Sequence, residues 1–580
     1  MANHALSPPV DLMTNKIPDQ PSATPDEAPI NPERRRLLGG IAIAGAALTL
    51  GSCTPPGGSH PSAASTQALP AAALDALLRQ HIQQVVVLYA ENRSFNNLFA
   101  HFPGLAQPLK QLDAPEYRQR DRDGSLLTTL PPIWGGLAPH AQTVDGRHYQ
   151  IGEHAISGLP NRPFALRTAD GDPLPHGVIT RDLVHRFYEN QLQINGGKND
   201  GFVAWGNTGA MVMGHYADSA AHLQLWQLAQ QYTLCDNFFM GAFGGSFLNH
   251  QYLAAAQPPF YPNADQGPAK FQIAVVEGDD PTGIRPKLAD DSPASAMLGR
   301  AKFAAPDALT PDFWAVNTIG PAYAPAFSHD KLDPRFADTG SPNTLPAQVH
   351  LTIGDLLSEA NIDWAWYAGG WQLALDGHGD GDHHVFPEVP NFQIHHQPFN
   401  YFRQFAPGTP ARRQHLRDAG VGSSADNNHF IAAIEAGTLP PVSFYKPQGD
   451  LNMHAGYSSV AAGDQHLAQV VDALQKSPQW PHMLVVITVD ENGGWWDHVA
   501  PPKGDRWGPG SRIPALIVSP FAKKGFVDHT IYDTGSILRF ITRRFGLRQL
   551  PGLKLRDAAM IAAGGPPPGD LTAALQFDAS

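Results

Sequence analysis

Six consecutive apolar or β-branched residues, Leu484 to Val489, stop abruptly at two adjacent acids, Asp490 and Glu491, and then at Asn492-Gly493-Gly494. Such a run reads as a strand buried on both faces, which belongs in a parallel sheet covered by helices. Neighbouring carboxylates at its carboxyl end repel each other unless a cation or strong donors lie between them. In open α/β sheets the same edge is where ligands bind. The plainer alternative is an acidic turn that merely exits a core strand.

A second segment repeats the pattern. Gln84-Val85-Val86-Val87-Leu88-Tyr89-Ala90 reads as another buried strand and ends at Glu91-Asn92-Arg93-Ser94-Phe95. Further strands are expected at Ile362–Tyr367, Val442–Tyr445 and Ile513–Ser519. Helices are expected at Leu74–Gln80, Leu223–Gln231, Thr352–Ala360, Gly463–Lys476 and Asp533–Phe545, with another beginning near Leu248. Strands that alternate with helices predict an α/β fold of three layers: a mainly parallel central sheet with helices on both faces. High Gly and Pro, 55 and 54 residues spread along the chain, predict long ordered loops, notably residues 105–180 and 257–345. The second of these reads as an insertion in one catalytic domain spanning residues 74–560, followed by a tail at 561–580.

Only 16% of residues are charged and 42% are hydrophobic, which excludes a largely disordered chain. A formal charge of −13 without a basic stripe argues against nucleic acid as a partner. The N-terminal 53 residues have their own logic. Arg34-Arg35-Arg36 precedes a short, small-residue apolar run that ends at Leu50-Gly51-Ser52-Cys53. The pattern is similar to a twin-arginine export signal followed by a lipobox, and implies a periplasmic, membrane-tethered or secreted protein. Cys53 would then carry the lipid, and residues 54–73 would form a flexible tether.

Four polar clusters converge on the expected sheet edge. Glu91, Asn92, Asp490 and Glu491 supply carboxylate and amide oxygens, a set suited to a hard or borderline divalent cation such as Mg, Ca or Mn, with Zn also open. Asp497-His498 is placed either to add a second metal site or to support the first acids from behind. Gly244-Gly245-Ser246 sets a serine at a helix start, where backbone N–H groups and the helix dipole favour an anion. A serine beside a cation that lowers its pKa can attack phosphorus. The histidines His383, His384, His395, His396 and His454 fall in loops, where imidazole can bind a phosphoryl oxygen or protonate a leaving alkoxide.

Glu91-Asn92-Arg93-Ser94-Phe95 resembles the signature of the bacterial phosphoesterase family, with Asn96 where that family usually has Asp. Asn199-Asp200-Gly201-Phe202, Tyr232 to Phe239, and Asp490-Glu491 with Trp496-Asp497-His498-Val499 resemble it too, from about Gln84 to Phe545. The family contains acid phosphatases and phospholipases C that hydrolyse phosphatidylcholine, and its fold is similar to that of alkaline phosphatases. The resemblance implies Ser246 as nucleophile and Glu91, Asn92, Asp490 and Glu491 as metal ligands. It also implies His395, His396 and His454 in the phosphate pocket, with His454 or His396 protonating the leaving group. His154 is a fourth pocket histidine, with His185 and His176 as competitors.

The phospholipase branch usually carries Thr in a Gly-Pro-Thr pattern and extra C-terminal β domains. This chain reads Gly-Gly-Ser-Phe-Leu-Asn-His and has only a short Pro/Gly/Ala-rich segment after Leu547, as in the acid phosphatases. The expectation is therefore an exported, metal-dependent acid phosphatase that acts on small phosphorylated substrates through a phosphoserine. Cationic pocket histidines would give it an acid optimum. A phospholipase C that takes phospholipid head groups is the alternative. A catalytically silent lipoprotein that binds metal or phosphoryl ligands is a second.

Overall fold

The buried runs at residues 84–90 and 483–489 lie side by side at the centre of an eight-stranded sheet. The computed structural model describes residues 70–150, 156–377 and 391–577. Cys53, the arginine motif, most of the tether, His154, His383 and His384 lie outside them. In chain order the strands are β1 (Gln84–Ala90), β2 (Thr233–Cys235), β3 (Trp364–Ala368), β4 (Leu416–Asp418), β5 (Val442–Lys446), β6 (Met483–Val489), β7 (Ala515–Val518) and β8 (Phe526–Asp528). Their spatial order is β8-β2-β7-β6-β1-β5-β3-β4. All neighbours are parallel except β7, which runs antiparallel to both β6 and β2. The expected mixed α/β architecture with a mainly parallel sheet is what forms.

Both central strands are buried along essentially their whole length, so each residue contributes apolar surface whichever way it points. The principal helices are α1 (Ala71–His81), α2 (Phe187–Ile194), α3 (Gln224–Gln231), α4 (Ser246–Ala255), α5 (His429–Glu435), α6 (Val460–Lys476), α7 (Thr534–Phe545) and α8 (Pro551–Ala562). They cover the sheet in two groups: α6 packs on α3 and α5, while α7 packs on α1 and α4. Helix α6 begins at Val460, three residues before the expected Gly463, because Ser459 caps it, its hydroxyl accepting from the Ala462 N–H. The Asp533 carboxylate and Ser536 hydroxyl close a reciprocal cap at the start of α7.

Three regions depart from expectation. Residues 105–180 are not simply surface loops, since Leu127, Leu130, Ile133 and Leu137 are buried in the main core. Helix α2 was not foreseen; all eight of its residues are buried, including the polar Glu189, Asn190, Gln191 and Gln193, so no alternation of apolar and polar faces marks a helical period. The segment expected as a tail packs on the body: Leu571 and Ala574 are fully buried, and the Lys523 N–H donates to the Ala574 carbonyl at 2.9 Å, beside β8. The described residues belong to one compact unit. Among the described residues no helix is long and apolar enough to cross a membrane.

Helix α2 also carries a buried acid, Glu189, whose Oε2 has no hydrogen-bond partner. Burial and then the nearby Asp307 carboxylate push its pKa up to about 8. In the unfolded chain a Glu titrates near ~4.3. The folded state therefore holds this proton where the unfolded state has lost it, and the associated stability falls as pH rises between those two values. Glu189→Gln keeps the shape and removes the titration. Thermal unfolding from pH 5 to pH 9 should show the wild type losing more stability than the variant; parallel profiles would refute this.

Candidate active site

Register brings the four expected oxygen donors together. β1 and β6 run in step, Ala90 opposite Val489, so the next residues on each strand, Glu91 and Asp490, emerge side by side, followed by Asn92 and Glu491. All four are completely buried. The Asp490 N–H still donates to the Ala90 carbonyl at 3.1 Å, which keeps the two strand ends together beyond the ladder. The turn after them requires glycine. Gly493 has φ +60°, and a Cβ there would lie 2.3 Å from the Asn92 carbonyl oxygen.

Glu91 is the hub. Its Oε1 meets the Lys446 ammonium and, at 3.0 Å, His396 Nε2, while its Oε2 accepts from the Ser246 hydroxyl at 3.0 Å. Burial pushes the Glu91 carboxyl up, but Lys446 and His396 outweigh that and hold it well below the usual carboxylate range. Asp490 and Glu491 lack such a partner, and burial drives both well above that range, with the Glu91 charge adding to the effect. Three buried carboxylates thus face one buried ammonium. Lys446 went unnoticed in the sequence because it is a lone lysine at the end of an apolar run; it reaches Glu91 because β5 pairs with β1 in the folded sheet.

Ser246 opens the ten-residue helix α4. Gly244 has φ +95°, and a Cβ on it would lie 2.6 Å from the Phe187 N atom, so the approach to Ser246 has no room for a side chain. Asn249 clamps this turn: its Oδ1 accepts from the Ala242 N–H at 2.9 Å and its Nδ2 donates to the Ala242 and Gly245 carbonyls, each at 3.2 Å. One turn further along α4 sits His250, which the sequence reading did not single out. Its Nδ1 lies 2.8 Å from the Ser246 carbonyl and its Nε2 is buried without a partner. It groups with Glu91 and Asp490 within reach of one ion.

Ser246 lies on the floor of a cleft of about 510 Å³. His395 and His454 line that cleft, as does His185. His396 is fully buried against Glu91 and does not line it, so the expectation that its ring reaches the leaving group is replaced by a role in orienting Glu91. His176 bonds Ser219 Oγ at 3.2 Å, away from the cleft, and His154 lies outside the described residues. The His454 ring stacks on Tyr457 at 4.3 Å, and burial lowers its pKa to about 4. His250 and His395 are likewise lowered by burial, so these imidazoles rest neutral rather than cationic. Asp497 ion-pairs with Arg512 at 3.0 Å, and His498 bridges Asn96 Oδ1 and the Gln107 carbonyl, each at 3.0 Å. That pair braces the loop and joins none of the candidate ion-binding groups among the described residues.

The donor set suits a divalent cation. Asn92 Oδ1, Asp490 Oδ2, Glu491 Oε1 and His250 Nε2 are buried atoms without hydrogen-bond partners, and such orphans are rare unless something else satisfies them. A double positive charge would balance the carboxylate excess. One imidazole among oxygens widens the choice from Mg and Ca to Mn, Zn and similar ions.

The model of the Phosphoesterase family matches residues 82–548. The chain belongs to this family. Among curated relatives, a non-hemolytic phospholipase C of Pseudomonas aeruginosa is 30% identical over 176 residues, covering 25% of this chain and 24% of the relative. A non-hemolytic phospholipase C of Burkholderia pseudomallei is 29% identical over 260 residues, covering 39% of this chain and 36% of the relative. The match thus spans about a quarter to a third of these two relatives' lengths. Phospholipase C B of Mycobacterium tuberculosis is 23% identical across 86% of this chain and 78% of its own. A solved structure in the alkaline phosphatase superfamily from Vibrio parahaemolyticus overlaps 58% of this chain and 63% of its own, at 12% identity and a TM-score of 0.27.

The charge arrangement predicts two stability effects. Lys446→Met leaves Glu91 buried with its counter-ion gone and should cost about 3–5 kcal/mol in denaturant unfolding. Chelator should lower the melting temperature and a divalent ion restore it, with stabilisation of about 2.7 kcal/mol at a hundredfold excess over Kd. An unchanged melting temperature would count against a resident ion.

Proposed function

We propose that the protein hydrolyses phosphoric monoesters through a phosphoserine on Ser246. The observation that carries this reading is the Ser246 hydroxyl at a helix N-terminus, donating to Glu91 on the floor of a cleft. The hydrogen bond fixes the Oγ proton toward Glu91 and leaves an oxygen lone pair for phosphorus. Attack forms the Oγ–P bond as the Oγ proton passes to Glu91 and the bond from phosphorus to the substrate alcohol breaks, and the departing alkoxide takes a proton from the cleft wall. We assign His454, which lines the cleft, as that donor. Its ring is neutral when alone, but a phosphate dianion beside it favours the protonated form, so substrate binding loads the acid. Water then attacks the phosphoserine, the Oγ–P bond breaks, and Ser246 regains its proton. A divalent ion held by Asn92, Asp490, Glu491 and His250 would supply a lowered serine pKa and stabilise phosphoryl charge. The helix N-terminus and the Gly244-Gly245 turn add fixed dipoles to the same end.

Phospholipase C activity is the second reading, favoured by the names of the relatives. Export through the arginine motif and lipidation at Cys53 accompany either reading as proposals that rest on sequence pattern.

Ser246→Ala should reduce kcat on an aryl phosphate by at least about 10³-fold, in line with removal of a covalent nucleophile. Acid quenching of wild type during turnover should yield a phosphopeptide containing Ser246. Retained activity in the alanine variant would defeat the mechanism. Faster turnover of an aryl phosphorylcholine than of the aryl phosphate would transfer the assignment to the second reading.

A further inference from the structure

The cleft above Ser246 has an electrical character opposite to that of the molecule. The chain carries a formal charge of −13, yet Arg181, Arg186 and Arg300 all line this opening and Asp182 is its single carboxylate among the described residues. Their partners differ in a telling way. Arg181 is pinned by neutral groups: Nε donates to the Gly136 carbonyl at 2.9 Å, and Nη2 to the carbonyls of Gly135 and, at 3.2 Å, Ala138. Its charge is held in place with no acid to cancel it. Arg300 is exposed and makes no ion pair among the described residues. Only Arg186 has a carboxylate partner, Asp307, and its side chain remains 44% exposed. Ser246, by contrast, is 6% exposed, so the guanidinium groups stand at the outer edge and the nucleophile at the bottom.

A fixed guanidinium satisfied only by carbonyls retains its preference for planar anions. A cleft lined by one sign of charge concentrates ligands of the other sign. The phosphoryl group under attack has its own donors at the floor, in Ser246 and the helix start. Cations at the rim therefore serve something else on the same molecule. A choline head group, being cationic, would meet repulsion there.

We propose that Arg181, Arg186 and Arg300 bind a second anionic group, a carboxylate or phosphate on the leaving alcohol, and select doubly anionic phosphomonoesters. This inference rests on the phosphoserine reading for the orientation of substrate, with phosphorus at Ser246 and the alcohol toward the rim. Arg181 supplies a preset cation, and Arg300 swings onto the anion from solvent. Trp134 and Tyr457 on the same walls give the carbon skeleton an apolar surface.

The test uses the intact protein with matched aryl esters: phenyl phosphate, 3-carboxyphenyl phosphate, 1,3-phenylene bisphosphate and 3-(trimethylammonio)phenyl phosphate. The two added anions should each raise kcat/KM over phenyl phosphate by about 10-fold, the scale of one charge-assisted hydrogen bond, and the cation should lower it. Their ratio to one another tells carboxylate from phosphate. Arg300→Gln should shrink the anionic preference, and Arg300→Glu should turn it toward the cationic ester. Arg300 is exposed, so neither change threatens folding. Equal kcat/KM for all four esters, or a preference untouched by both Arg300 variants, would overturn the proposal. Calorimetric binding of phenylphosphonate and 3-carboxyphenylphosphonate reads the same preference without turnover. If phenyl phosphate is not hydrolysed, the phosphoserine reading fails. In that event, tighter binding of the carboxylated phosphonate that Arg300→Gln erases sustains the anion site, and equal binding of the two phosphonates refutes it.

Discussion

Glu91, Asp490 and Glu491 are three acids with no exposure to water, and Lys446 is the buried ammonium set among them. Burying an unpaired charge costs several kcal/mol, so the surrounding structure has to supply compensation. Much of the local architecture can be understood as doing so. His396 and Ser246 donate to Glu91, the Gly493 N–H donates to Glu491, and the Glu491 N–H donates to Asp490. These donors leave buried atoms of Asn92, Asp490, Glu491 and His250 without hydrogen bonds, and Glu91, His250 and Asp490 lie close enough together to hold a cation. Under the proposed mechanism stability and chemistry would be coupled, because a cation that lowered the cost of the acids would also prepare the serine.

The coupling depends on sheet topology. Parallel neighbours in register deliver Glu91 and Asp490 to the same level of the same edge, and an antiparallel pairing of β1 and β6 would send them to opposite ends. The exception, β7, lies on the far side of β6 from β1 and so leaves the active edge intact. Asp497 and Arg512 then tie the loop after β6 to the chain entering β7, and the Asn96 N–H donates to Asp497 at 3.0 Å. Those contacts hold the edge from outside without entering the ion-binding group.

The sheet and the acid pairs were legible in sequence because each rests on a local signal: a buried run, then carboxylates. The short strands β2, β4 and β8 were not, since three residues are too few to show a period. Ser246 could be read from its glycines, whereas His250 looked like one more residue of an apolar helix. Its importance comes from spacing along α4 and from facing Asp490, which only the packed structure supplies. The same limit explains His396. Two adjacent histidines look equivalent on paper, but consecutive side chains point apart, and only His395 reaches the cleft while His396 turns to Glu91. Of the rim arginines, Arg181 and Arg186 share one loop segment while Arg300 lies more than a hundred residues further on, and no local pattern connects it to them.

Ser246 and His250 stand on one rigid rod, four residues apart, a rise of about 6 Å along the helix axis. That interval is set by backbone hydrogen bonding and no loop can stretch it. The cleft walls above are built instead from irregular chain, in which insertions and exchanges disturb no ladder. The molecule thus sets Ser246 and His250 at a fixed interval beneath walls of irregular chain.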